Sequence, residues 1–75
     1  MNYLVIEIQT DSGTTSTLTY QYQDLALANQ KYYSILSAAS VSSVDVHAAM
    51  IVDERGFLVK NESFDHRGTE LTLSV

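Results

Sequence analysis

"DVHAAMIVDERGFLVKNESF", Asp45 to Phe64, decides how this chain must fold. Two apolar runs of strand length flank Glu54-Arg55-Gly56, a loop whose glycine stands third, where a three-residue hairpin needs the left-handed region. The spacing predicts a hairpin in which Asp53 pairs with Phe57, Ile51 with Val59, Met50 with Lys60 and His47 with Ser63. Alternation then sorts the side chains. His47, Ala49, Ile51, Phe57, Val59, Asn61 and Ser63 share one face; Val46, Ala48, Met50, Val52, Leu58, Lys60, Glu62 and Phe64 share the other. Both faces are largely apolar, so both ask for cover.

Working outward, "YLVIEIQ" (Tyr3–Gln9) and "TSTLTYQY" (Thr15–Tyr22) alternate with period two and read as strands. Asp11-Ser12-Gly13 lies between them and reads as a second three-residue loop. Pairing Thr10 with Thr14 across it sets Ile6 opposite Leu18 and Leu4 opposite Tyr20, with one apolar face. Between the hairpins, Leu25, Ala28, Tyr32, Ile35, Leu36 and Ala39 recur at three- and four-residue steps, a helical stripe from Leu25 to Ala39. Asp24 is suited to cap its start, because a carboxylate accepts a free backbone N–H there and suits the positive helix end. Ser40, Ser42 and Ser43 are placed to satisfy its last carbonyls.

The expectation is an α+β fold of order β-β-α-β-β: a mainly antiparallel four-stranded sheet, in strand order 2-1-3-4, with one helix on one face. Residues 1–66 form a single domain. Residues 67–75 are a tail or an added edge strand, since Leu71, Leu73 and Val75 alternate with Thr72 and Ser74. One helix covers one side of a sheet, so the second apolar side calls for another molecule. A 75-residue chain with no cysteine has no disulfide or thiolate zinc site to support a thin core. A homodimer follows, made through the second hairpin's uncovered face or its edge strand, with Val46, Met50, Val52, Leu58, Lys60, Glu62 and Phe64 as interface candidates.

Composition narrows the function. Nine acidic against four basic residues give a net charge of −5, and Lys31, Arg55, Lys60 and Arg67 are scattered, which argues against direct nucleic-acid binding. An acidic inhibitor of a nucleic-acid enzyme stays open as an alternative. No run approaches the ~18 apolar residues of a membrane span, and the first residues lack a secretory pattern, so a cytoplasmic location is expected.

His47 with Asp45 two residues before it and Ser63 across the hairpin forms a candidate polar site. A general base oriented by a carboxylate and a metal site drawing on Asp45, His47, Asp65 and His66 are its sharp readings; a small-ligand or metal-binding module centred on His47 is therefore a further alternative. A partly buried histidine held by a hydrogen bond is the plain one. No nucleophile elbow surrounds any serine, so no catalytic residue, enzymatic activity or cofactor is expected.

Lys31-Tyr32-Ile35-Leu36, Val41-Ser42-Ser43-Val44-Val46-His47-Ala49, Asp53-Glu54-Gly56 and Lys60-Glu62-Ser63 together form a pattern. In it the chain resembles a family of small uncharacterised proteins of Gram-positive bacteria, often found with phage or mobile-element genes. The likeness spans most of the chain up to His66. It implies the same strand and helix order and a phage-associated setting, and brings no catalytic residue. The function expected is a non-enzymatic assembly or regulatory factor acting on an unidentified protein partner.

Overall fold

A computed structural model of the protein describes residues 1–67. Strands β1 (Tyr3–Asp11) and β2 (Thr14–Tyr22), helix α1 (Leu25–Ala39), and strands β3 (Val46–Asp53) and β4 (Leu58–Asp65) follow in that order. They make an antiparallel sheet of order β2-β1-β3-β4, an α+β fold with the expected strand order. The possible fifth strand falls on residues outside those described.

The helix has the bounds its stripe predicts. Asp24 caps it, its carboxylate accepting from the Ala26 N–H at 2.8 Å. At the other end the Ser40 N–H donates to the Leu36 carbonyl (3.0 Å), the Ser40 hydroxyl to the Ser37 carbonyl (2.9 Å) and the Ser42 N–H to the Ala39 carbonyl (3.2 Å). The Ser42 hydroxyl accepts from the Val44 N–H (3.1 Å), so of the three serines Ser40 alone closes the helix with its side chain. Ala28, Tyr32, Ile35 and Ala39 form its buried side. Val5, Ala49 and Ile51 meet the first three of these in the core, with Tyr3, Tyr20, Tyr22 and Leu36 packed around.

Both hairpins depart from the expected register. Asp11 pairs with Thr14 and Thr10 with Thr15, so the first loop is the two residues Ser12-Gly13 rather than three. Both have positive φ, 54° and 82°, as a type I′ connection requires. That turn matches the twist of paired strands, and it shifts β2 by one residue. Ile6 therefore faces Thr19 and Leu4 faces Gln21, while Val5 faces Tyr20. A one-residue slip turns every side chain over. The core draws on Val5 and the tyrosines, and Leu4, Ile6 and Ile8 lie on the far side of the sheet.

The second hairpin starts as expected. The Asp53 N–H donates to the Phe57 carbonyl and the Gly56 N–H to the Asp53 carbonyl, each at 2.9 Å, with Gly56 at φ 85°. Val52 faces Leu58, and then a bulge leaves Val59 unpaired, so that Ile51 faces Lys60 instead of Val59. Met50 consequently faces Asn61, and His47 faces Phe64, not Ser63. Lys60, Glu62 and Phe64 thus join His47, Ala49 and Ile51 on the helix side, opposite to the face first assigned to them. An extra residue on one strand bends it and restarts the alternation.

Candidate functional site

Two places in the molecule ask for explanation: the sheet face away from the helix, and a buried ionisable pair on the helix side.

The open face follows from the register. Leu4, Ile6, Ile8 and Thr10 on β1 stand beside Thr15, Thr17, Thr19 and Gln21 on β2, and beside Val46, Ala48, Met50 and Val52 on β3. On β4 the same face carries Leu58, Asn61 and Ser63. Val46, Met50, Val52 and Leu58, expected at an interface, all stand here; Lys60, Glu62 and Phe64 do not. The Lys60 amine instead donates to the Tyr33 hydroxyl at 3.3 Å and lies near the Tyr32 and Tyr33 rings. Its long stem carries the charge up to the helix.

Charge is divided between the faces as sharply as cover. Within the strands, Glu7, Asp11, Asp53, Lys60 and Glu62 all fall on the helix side, and only Asp65, opposite Val46 at one end, falls on the open side. The centre of the open face is apolar along β1 and β3, with threonines on one flank. Four strands of about eight residues, at ~3.3 Å per residue and ~4.8 Å between strands, make a face of roughly 500 Å². No described element other than the strands themselves contributes to it.

On the helix side, His47 is buried at 5 % exposure. Its Nε2 lies 2.6 Å from Glu7 Oε2, which also accepts from Gln9 Nε2 at 2.9 Å. Gln9 is directly opposite His47 across the β1–β3 ladder and Glu7 is the diagonal neighbour, within reach for long side chains on one face. Burial pushes the Glu7 carboxyl up, but the hydrogen bonds from His47 and Gln9, with the charges of His47 and Lys31, outweigh it and hold the group below its ordinary value. His47 Nδ1 has no hydrogen-bond partner among the described residues. The ring is thus anchored through one nitrogen and packed on the other.

The residues expected to join His47 stand elsewhere. The Asp45 carboxylate accepts from the Ser12 N–H at 3.2 Å, at the tip of the first hairpin. Ser63 faces Ala48, on the other side of the sheet from His47. His66 lies close to the helix end, its Nε2 3.1 Å from the Ala39 carbonyl. Among the described residues no three histidine, aspartate or glutamate side chains converge as metal ligands would. Glu7, the partner His47 does have, went unassigned because it lies 40 residues away. Finding it requires the β1–β3 pairing and the true face of β1 together.

A second carboxylate holds the β3–β4 turn. Asp53 accepts from the N–H groups of Arg55 (2.8 Å) and Phe57 (3.2 Å) through one oxygen, and from Arg55 Nη2 (2.8 Å) and Nε (3.3 Å) through the other. The Arg55 guanidinium, aided by those backbone bonds, keeps the Asp53 carboxyl below its usual range. Its role is to fix the loop.

Comparison with protein-family models, curated protein sequences and solved structures yields no match. Among the described residues no helix is long and apolar enough to cross a membrane.

Proposed function

We propose that this chain is a non-enzymatic contact protein, an assembly or regulatory factor of a phage or mobile element, which pairs with a second copy through the open sheet face. One observation carries the proposal: the face opposite the helix is apolar at its centre and free of charge except at one end. Soluble monomers rarely expose contiguous apolar patches beyond a few hundred Å². Stacking two such faces removes roughly 1,000 Å² in total, at the lower bound for a specific interface. A two-fold pair covers the same patch on both copies. For a chain of net charge −5, contact through neutral surface also avoids acid meeting acid.

The Glu7–His47 pair supports a structural role on the helix side. The carboxylate is already engaged by two donors, and the imidazole is sealed from solvent. Light scattering after size exclusion tests the proposal. The expected result is a mass above that of one chain, lowered by Met50→Lys with the far-ultraviolet circular dichroism unchanged. A monomer at micromolar concentration that binds no hydrophobic dye overturns it.

A further inference from the structure

Among the described residues, strands β2 and β4 are the two edges of the sheet, and they are protected unequally. A free edge offers a row of N–H and C=O groups to any other chain, and proteins blunt it with bulges, charges or proline. β4 has all but the last: the bulge at Val59, and the charged residues Lys60, Glu62 and Asp65. β2 has none of these. Its nine residues, TTSTLTYQY, pair with β1 without a shift and include no charge and no proline.

The phase of its hydrogen bonds follows from the turn. A two-residue hairpin makes Asp11 and Thr14 a hydrogen-bonded pair, so Thr14, Ser16, Leu18, Tyr20 and Tyr22 turn their main-chain groups toward β1. Thr15, Thr17, Thr19 and Gln21 turn theirs outward.

We propose that β2 pairs antiparallel with β2 of a second copy about a two-fold axis at Leu18. The four strands of each copy then join in one continuous sheet of eight. In this register Leu18 faces its own equivalent, Thr17 faces Thr19, Ser16 faces Tyr20 and Thr15 faces Gln21. Leu18 is the midpoint of the strand, and its main chain is turned inward. Its self-pair therefore falls at a non-hydrogen-bonded position, where opposed side chains come closest. That contact covers a leucine which is 54 % exposed in the single chain. The outward groups of Thr17 and Thr19 meet in hydrogen-bonded pairs.

A second copy is the occupant because the strand is complementary to itself. Every opposed pair is uncharged, and two chains of net charge −5 meet most readily where neither carries charge. Both helices then lie on one side, and the two open faces merge into one. The edge is a different surface from the face proposed above, and it stands or falls separately.

A pair of double variants tests the register. Thr17→Lys with Thr19→Lys sets like charges opposite each other across the axis; Thr17→Lys with Thr19→Glu sets opposite charges there. The lysine pair is expected to halve the molar mass found by light scattering, and the lysine–glutamate pair to retain the wild-type mass. An unchanged mass in the lysine pair overturns the proposal, as does an equal loss in both variants. Met50→Lys separates the two surfaces. If it leaves the mass unchanged while the lysine pair halves it, the face fails and the edge stands. Hydrogen exchange on the unmodified protein needs no variant. The amides of Thr15, Thr17, Thr19 and Gln21 are expected to exchange slowly in concentrated solution and fast on dilution; fast exchange at both concentrations overturns the pairing.

Discussion

Val5, Ala49 and Ile51 are sealed from water beneath Ala28, Tyr32 and Ile35, whereas Leu4, Ile6, Met50 and Val52 sit one residue away in the same strands and are only half-buried. The two sets do not differ much in apolarity. If anything, β1 gives its larger aliphatics to the side without a helix and sends a valine and a tyrosine to the core. What separates the faces is charge and the partner layer. Ionisable side chains gather on the helix side, where Glu7 finds His47 and Lys60 finds Tyr33. The open side is left nearly neutral. Apolar content marks the residues that ask for cover, and register determines which of them the chain covers by itself.

The largest effect that separates the faces is expected from truncating neighbours on β3. Ile51 is fully buried, and Ile51→Ala leaves a cavity at a cost of about 3–4 kcal/mol. Met50 points the other way and is half-buried, so Met50→Ala opens no enclosed cavity and is expected to cost the single chain only about 1 kcal/mol. Urea denaturation of dilute protein measures both. Equal losses would break the contrast between a packed side and an open one.

A middle-sized effect belongs to the helix side alone. Glu7→Ala removes the one side-chain partner that a buried histidine has among the described residues and is expected to cost about 2 kcal/mol; Glu7→Gln keeps a hydrogen-bonding oxygen and is expected to cost less. The pH dependence has a definite sign. The folded Glu7 and Asp53 carboxyls are held below their ordinary values of 4.5 and 3.8. A depressed folded pKa contributes stability that is present above the unfolded value and lost as pH falls through the folded one. Stability is therefore expected to decline as pH drops below about 4.5, and the decline to be shallower in Glu7→Gln. Unfolding midpoints across acid pH check this, and an acid slope identical to wild type in Glu7→Gln would remove that carboxylate from the account.

Periodicity exposed the elements and hid their faces. The helix stripe, the Asp24 cap and the alternating strands were readable because each is set by residues within a few positions of one another. The strand order 2-1-3-4 was also expected. The register was not, because Asp11-Ser12-Gly13 admits a two- or a three-residue loop, and nothing local signals the bulge at Val59. Those two single-residue differences parted Leu4 and Ile6 from Tyr20 and Leu18, their expected partners on one face, and sent Lys60, Glu62 and Phe64 to the helix side. The same slip concealed Glu7 as the partner of His47. Asp45 and Ser63 looked closer in sequence, yet a direction error of one residue puts Ser63 across the sheet.

The smallest expected effect examines that slip most directly. Gly13 has φ 82° with open space where a Cβ would stand, so Gly13→Ala meets no neighbour and costs only the strain of a left-handed backbone, about 1 kcal/mol. A three-residue loop would also place Gly13 in the left-handed region, so this variant does not distinguish the two turns. Ser12 does. Its φ of 54° belongs to the two-residue turn; in the three-residue loop it would be right-handed, where asparagine has no advantage. Ser12→Asn is therefore expected to stabilise the protein by roughly a few tenths of a kcal/mol, since asparagine tolerates the left-handed region better than serine. A neutral or destabilising result in thermal unfolding favours the longer loop. It would turn β2 over, bring Tyr20 and Tyr22 beside Leu4 and Ile6 on the open face, and take them away from the helix, because the pairing of β1 with β3 holds Leu4 and Ile6 where they are.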